Sequence, residues 1–135
     1  MGILYWWRSF RSRRLTEGSA NTGDYWEQQA ESFLKQQGLK LLIRNYHCPA
    51  GEIDLVMQSG DNIIVFVEVR YRKHHQWANA VESVSKTKQK KVIKAAQHLM
   101  SKKKWHNRYH ARFDVVAIQG DARSPQIDWI EHAFY

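Results

Sequence analysis

From Asp24 to Gln37 the apolar residues Trp26, Ala30, Phe33 and Leu34 recur at the spacing of one helix face, with Thr22 placed to cap the start and Gly38 to stop the run. The period then shortens. Leu39 to Asn45 is a brief apolar run ended by the Cys-Pro-Ala-Gly break at 48–51 and reads as a strand. Ile53 to Met57 reads as a second strand, Ser59 to Asn62 as a turn, and Ile63 to Tyr71 as a third strand. In that third strand Ile64 and Phe66 alternate with Ile63, Val65, Val67 and Val69, so both faces are apolar. This is the pattern of a central strand covered on two sides, and helices must cover it. Helical spacing returns from Ser85, a suitable cap, to Lys104, with Val92, Ile93, Ala96, Leu99 and Met100 as the stripe. Arg112 to Ile118 reads as another strand, and Ile127 to Phe134 as a final strand or a short helix. The predicted order is helix, three strands, helix, strand: an α/β domain with a mixed sheet flanked by helices, over residues 21–135. Arg8 to Gly23 has no apolar period and is rich in Arg, Ser, Thr and Gly, so residues 1–20 read as a flexible basic arm.

Two acids interrupt the apolar strands. If the hairpin closes around Asp61, position 58 pairs with 64, 56 with 66 and 54 with 68, which sets Asp54 opposite Glu68. Directly opposed residues hold their Cβ atoms roughly 4.5 to 5.5 Å apart, and like charges so placed repel. The period of two puts Glu52 on the face of Asp54, and Arg70 on that of Glu68. Burying such acids without compensation costs several kcal/mol or protonates them. A divalent cation such as Mg²⁺, held by one or two carboxylates, water and a phosphate, is one compensation. Pairing of the acids with Arg44, Arg70 or Arg72 is the other.

Charge gives the phosphate a reason to be there. With 135 residues, 21 Lys and Arg against 13 Asp and Glu, and a net charge of +8, the chain suits a polyanionic partner such as nucleic acid. A length for one domain, 43% hydrophobic residues and a mean hydropathy of -0.64 argue for a globular chain outside the membrane. Cys48 is the only cysteine, which rules out an internal disulfide framework and a cysteine-rich zinc site and suits a reducing cytoplasm. In the opening MGILYWWRSFRSRR a short apolar run precedes the basic residues, the reverse of a secretory signal, and the run is too short to span a bilayer. Trp6 and Trp7 occupy positions where a myristoylation pattern needs Ser or Thr, so the arm reads first as a frayed tail and second as a surface contact. His106 and His110 fall in a connecting loop and read as surface residues, as do His74 and His75. Asp114 either pairs with a lysine or borders the site. Neither a GxxxxGK[ST] phosphate loop nor a GxSxG nucleophile motif is present.

The blocks GEIDLVM, VFVEVRYR, SVSKTKQKKVIKAAQHLM and RFDVVAI, in that order, resemble the YraN family of small bacterial proteins. That largely uncharacterised group is assigned a restriction-endonuclease-like fold similar to archaeal Holliday junction resolvases. The likeness runs from about Gly23 to Phe134. It implies the PD-(D/E)XK nuclease pattern: Asp54 as the lone acid, Glu68 as the second acid, both metal ligands, and Val69 offering its carbonyl to Mg²⁺ or Mn²⁺. Glu27 matches the additional acid that resolvase-like members bring from an N-terminal helix, and Gln89 the polar residue brought from the helix after the third strand. Arg70 stands where the pattern has lysine. A guanidinium stays charged and cannot act as a general base, yet it can bind the phosphate and stabilise developing charge. Lys86, Lys88, Lys90 and Lys91, with Arg72 and Lys73, are candidates for nucleic-acid contact, since eight lysines and no acid lie between Lys86 and Lys104. The resulting expectation is a metal-dependent DNA endonuclease, acting on branched or junction DNA, with a homodimer by analogy. The rivals are a non-catalytic nucleic-acid-binding protein on a degenerate nuclease fold, and a membrane-surface adaptor using the arm.

Overall fold

Residues 22–72, 81–121 and 123–135 are described by the computed structural model; the arm over 1–20, Lys73, His74 and His75 lie outside them. Helix α1 (Thr22–Gln36) buries Trp26, Ala30 and Leu34. It stops where Gly38 takes a φ of 100° and the Leu39 N–H reaches back to the Leu34 carbonyl at 3.0 Å, a closure that a Cβ at position 38 would strain. Three antiparallel strands follow: β1 (Lys40–Cys48), β2 (Gly51–Ser59) and β3 (Ile63–Arg72). A 3₁₀ turn (Val81–Ser83) leads into α2 (Lys86–Lys102), capped by Ser85, whose hydroxyl accepts the Lys88 N–H at 3.1 Å. β4 (His110–Gln119) then lies parallel to β3, and β5 (Gln126–Phe134) runs antiparallel beside it.

The sheet is ordered β1-β2-β3-β4-β5, so β3 is central, and two helices cover its faces. α1 packs over Leu55, Val65, Val67, Val69 and Val116. On the other face α2 packs over Ile53, Val56, Ile64, Phe66 and Val115. This is the α/β architecture expected of a restriction-endonuclease-like core, with the parallel β3–β4 pair bridged through a helix. The C-terminal segment is a strand. β1 runs three residues beyond the predicted end because Asn45, at a left-handed φ of 50°, kinks the strand without ending it, and His47 and Cys48 still pair with Glu52 and Gly51.

Among the described residues no helix is long and apolar enough to cross a membrane.

Candidate functional site

The hairpin register is the one counted from its turn: Gln58 faces Ile64 and Val56 faces Phe66. The ladder stops at Leu55 and Val67, one step before Asp54 and Glu68. On the other side of β2 the pairing skips the step between Asn45 and Asp54. Asp54 therefore lies at a break in both ladders. Ile53 packs under α2 and Leu55 under α1, so the alternation of faces fails between them. This kink removes period two as a reason for Glu52 to share the face of Asp54, and Glu52 lies 3.5 Å from the ring of His47. At the break the Asp54 carboxylate does the work of a ladder carbonyl, Oδ2 accepting the Val69 N–H at 2.8 Å.

β3 keeps its period. Ile64 and Phe66 face α2, and Glu68 and Arg70 continue that row. Asp54 and Glu68 are wholly buried, and the Arg70 side chain is 1% exposed. Arg70 Nη1 lies 3.4 Å from Glu68 Oε2, and Nη2 donates to the Ser83 carbonyl at 3.0 Å. Gln89, buried rather than solvated, donates from Nε2 to the next carbonyl, Val84, at 3.0 Å. Two side chains from different elements thus hold consecutive carbonyls of the turn into α2, fixing the start of the lysine-rich helix against the acids. No residue pattern announces this, because the acceptors are backbone atoms.

Glu27 approaches from the other side. Trp26 stacks on Tyr71, with ring centroids 4.1 Å apart and planes at 10°, which pins the start of α1 to the end of β3. Glu27, 4% exposed, lines a cleft of about 240 Å³ with Asp24, Gln28, Glu31, Arg44, Asn45 and Leu55. Glu31 was not singled out by sequence reasoning. It is buried and gripped by the Arg44 guanidinium through two bonds, of 2.7 and 2.9 Å, with Lys35 at 2.8 Å. The Arg44 fork, joined by Lys35, holds its carboxyl below the ordinary glutamate range against the opposing effect of burial. The signal was available in the helical spacing of Glu27, Glu31 and Lys35 beside the apolar stripe.

Asp114 is engaged by an arginine, not a lysine. Oδ1 accepts Arg112 Nε at 2.9 Å and the His132 N–H at 3.2 Å; Oδ2 accepts Arg112 Nη2 at 2.8 Å and Trp129 Nε1 at 2.9 Å. It too lies at a ladder break, where the β4–β5 register shifts between Phe113 and Val115 and His132 adopts a φ of 55°. The Asp114 carboxylate raises the Arg112 pKa further.

Lys86, Lys90 and Lys91 are exposed along α2, Lys88 and Arg72 are half-buried, and His106 and His110 are on the surface. Among the described residues no three of His, Cys, Asp and Glu form a group able to hold a metal ion. Glu27, Asp54 and Glu68 do not make such a group together. Two carboxylates, a carbonyl and oxygens from water or phosphate remain a donor set that suits Mg²⁺, which seldom occupies an all-protein cage.

Fold and site together define a small basic α/β protein with a restriction-endonuclease-like core and buried acids at the broken edge of its central hairpin. Residues 26–118 match the model of Uncharacterised protein family UPF0102, and the chain belongs to that family, the YraN group its sequence blocks resemble. It is 47% identical over 117 residues to a UPF0102 protein of Stutzerimonas stutzeri, covering 86% of this chain and 96% of that one. A relative from Saccharophagus degradans is 51% identical over 114 residues, 84% and 92% of the two chains. One from Legionella pneumophila is 42% identical over 112 residues, 83% and 92%.

Proposed function

We propose that this protein is a metal-dependent DNA endonuclease that hydrolyses phosphodiesters in branched or junction DNA. The observation that carries the reading is the pair of wholly buried acids, Asp54 and Glu68, set one step beyond the end of the β2–β3 ladder in a chain of net charge +8. Buried acids are expensive unless cations or hydrogen-bond donors compensate them, and a divalent cation is one such compensation. Asp54, Glu68 and the Val69 carbonyl would hold Mg²⁺ or Mn²⁺, and such an ion supplies charge neutralisation at the phosphate and lowers the pKa of water. Arg70 stays protonated and stabilises the charge that develops on the phosphate oxygens. Glu27 assists from the α1 cleft, and Gln89 keeps the first turn of α2 in place beside Arg70. Lys86, Lys88, Lys90 and Lys91, with Arg72 and Lys73, track the backbone phosphates without reading sequence. A second copy would offer a second site to a two-fold-symmetric junction.

The test is cleavage of a panel of branched, flapped and linear DNA in Mg²⁺ or Mn²⁺. Asp54→Asn should lower the rate by at least about 100-fold, the scale at which one charged group at a developing charge is felt. Undiminished cleavage by that variant refutes the assignment. A second reading, a nucleic-acid-binding protein on a degenerate nuclease fold, is favoured by one observation: Arg70, at the position of the usual lysine, is buried and held by Glu68 and Ser83. Tight binding with no cleavage of any substrate in the panel would select it.

A further inference from the structure

Glu68 and Asp54 are both wholly buried on neighbouring strands, and the cation nearest Glu68 in the chain is already in contact with it. Arg70 reaches Glu68 with one nitrogen at 3.4 Å and the Ser83 carbonyl with another at 3.0 Å. The two contacts differ in kind. A charge-assisted N–H to carboxylate bond normally closes to about 2.7–2.9 Å, so the Glu68 contact is long, whereas the bond to Ser83 has ordinary length. The guanidinium is tied to the turn before α2 and shared, loosely, with the acid.

We infer that Arg70 is the resident counter-ion of the acid pair, and that the site takes up a divalent cation and a phosphodiester together, the phosphate drawing the guanidinium off Glu68. The inference rests on the nuclease reading above and adds an order to it. A permanent positive charge beside Glu68 opposes a second cation for as long as it stays there. A lysine in this position could relieve that opposition by losing its proton, as buried lysines do; arginine cannot. A phosphate oxygen relieves it instead, accepting the Nη1 donor that Glu68 gives up while Nη2 remains on Ser83. The same side chain then serves the acid before substrate arrives and the phosphate afterwards, so affinity for the metal and affinity for DNA become coupled.

The experiment reads Mn²⁺ binding to the full chain, by the loss of the free-ion paramagnetic resonance signal, for wild type, Arg70→Met and the Glu68→Gln/Arg70→Met double variant. Without DNA, Arg70→Met should bind Mn²⁺ at least about tenfold more tightly than wild type, and the double variant should lose that gain. Adding a phosphorothioate duplex should tighten Mn²⁺ binding by wild type and leave Arg70→Met nearly unchanged. Arg70→Gln covers a failure of Arg70→Met to fold: it too removes the charge beside Glu68, and without DNA it should also bind Mn²⁺ more tightly than wild type. Equal affinities for wild type and Arg70→Met, a gain that persists in the double variant, or no Mn²⁺ binding by any of them overturns the assignment. Cleavage is scored separately, so an active wild type with no gain in Arg70→Met sinks the counter-ion alone, and an inactive wild type with that gain sinks the nuclease alone.

Discussion

Asp114→Asn separates an acid that builds the sheet from the acids proposed to serve a site. Each oxygen of this wholly buried carboxylate accepts one Arg112 nitrogen and one further donor, from Trp129 or His132. An amide has one acceptor oxygen, so in either orientation two of the four donors face an NH₂ group, and Arg112, 8% exposed, loses its buried counter-charge. Breaking a buried pair by removing one partner costs about 3–5 kcal/mol. Half-exposed Glu131, 3.4 Å from Arg112, offsets a little of this and points to the lower end, about 3 kcal/mol. For a domain of this size that is a fall in Tm of roughly 12 °C. Calorimetry together with urea melts of wild type and variant measures it. A fall of under about 4 °C would mean that the network contributes no more than an ordinary hydrogen bond, and the reasoning would be refuted.

Further outcomes are expected elsewhere. Gly51→Ala sets a Cβ 3.1 Å from the Lys91 carbonyl oxygen and 3.2 Å from the Lys91 Cβ, so β2 and α2 must part and the urea midpoint should drop by the equivalent of about 1–3 kcal/mol. Glu31 has a folded-state pKa below its unfolded one, so the pair with Arg44 stabilises fully above the ordinary glutamate range and fades as pH falls through the lowered value. Glu31→Gln should therefore flatten the acid limb of a stability-against-pH curve, modestly, because Arg44 is 59% exposed and screened by solvent. The Lys90→Ala/Lys91→Ala double variant should weaken DNA binding equally for all sequences and reduce the slope of log K against log salt by about 2, measured by anisotropy titration.

The apolar period made the helices and the central strand legible, because a strand buried on both faces and helices with a clean stripe each have one reading. The end of the chain resisted. In Gln126 to Phe134 the residues Asp128, Glu131 and His132 interrupt the alternation, and the structure has a bulge there, with His132 at positive φ. The acids divide in the same way. Counting from the turn placed Asp54 opposite Glu68, but the ladder ends one step earlier and the kink between Ile53 and Leu55 removes the face argument that rested on period two. Two strand pairs two residues apart, Glu68 with Arg70 and Arg112 with Asp114, could be read as shared faces, yet nothing in either triplet says that one is a four-donor network and the other a looser contact. That difference comes from Trp129, His132 and Ser83, which approach from far along the chain.

Because the strands stack in the order in which they are made, the antiparallel hairpins β1–β2–β3 and β4–β5 need only local closure, and the wide loop through α2 is an entropically demanding step. The approach of Gly51 to Lys91 and the bond of Arg70 to Ser83 belong to that closure, whereas the bond between the Asp54 carboxylate and the Val69 N–H belongs to the first hairpin. The strands that carry the acids would thus pair before the arginine finds its anchor. If the loop closes after the transition state, Gly51→Ala will steepen escape from the native state in a chevron plot and leave refolding untouched; a slowed refolding limb would place the closure earlier.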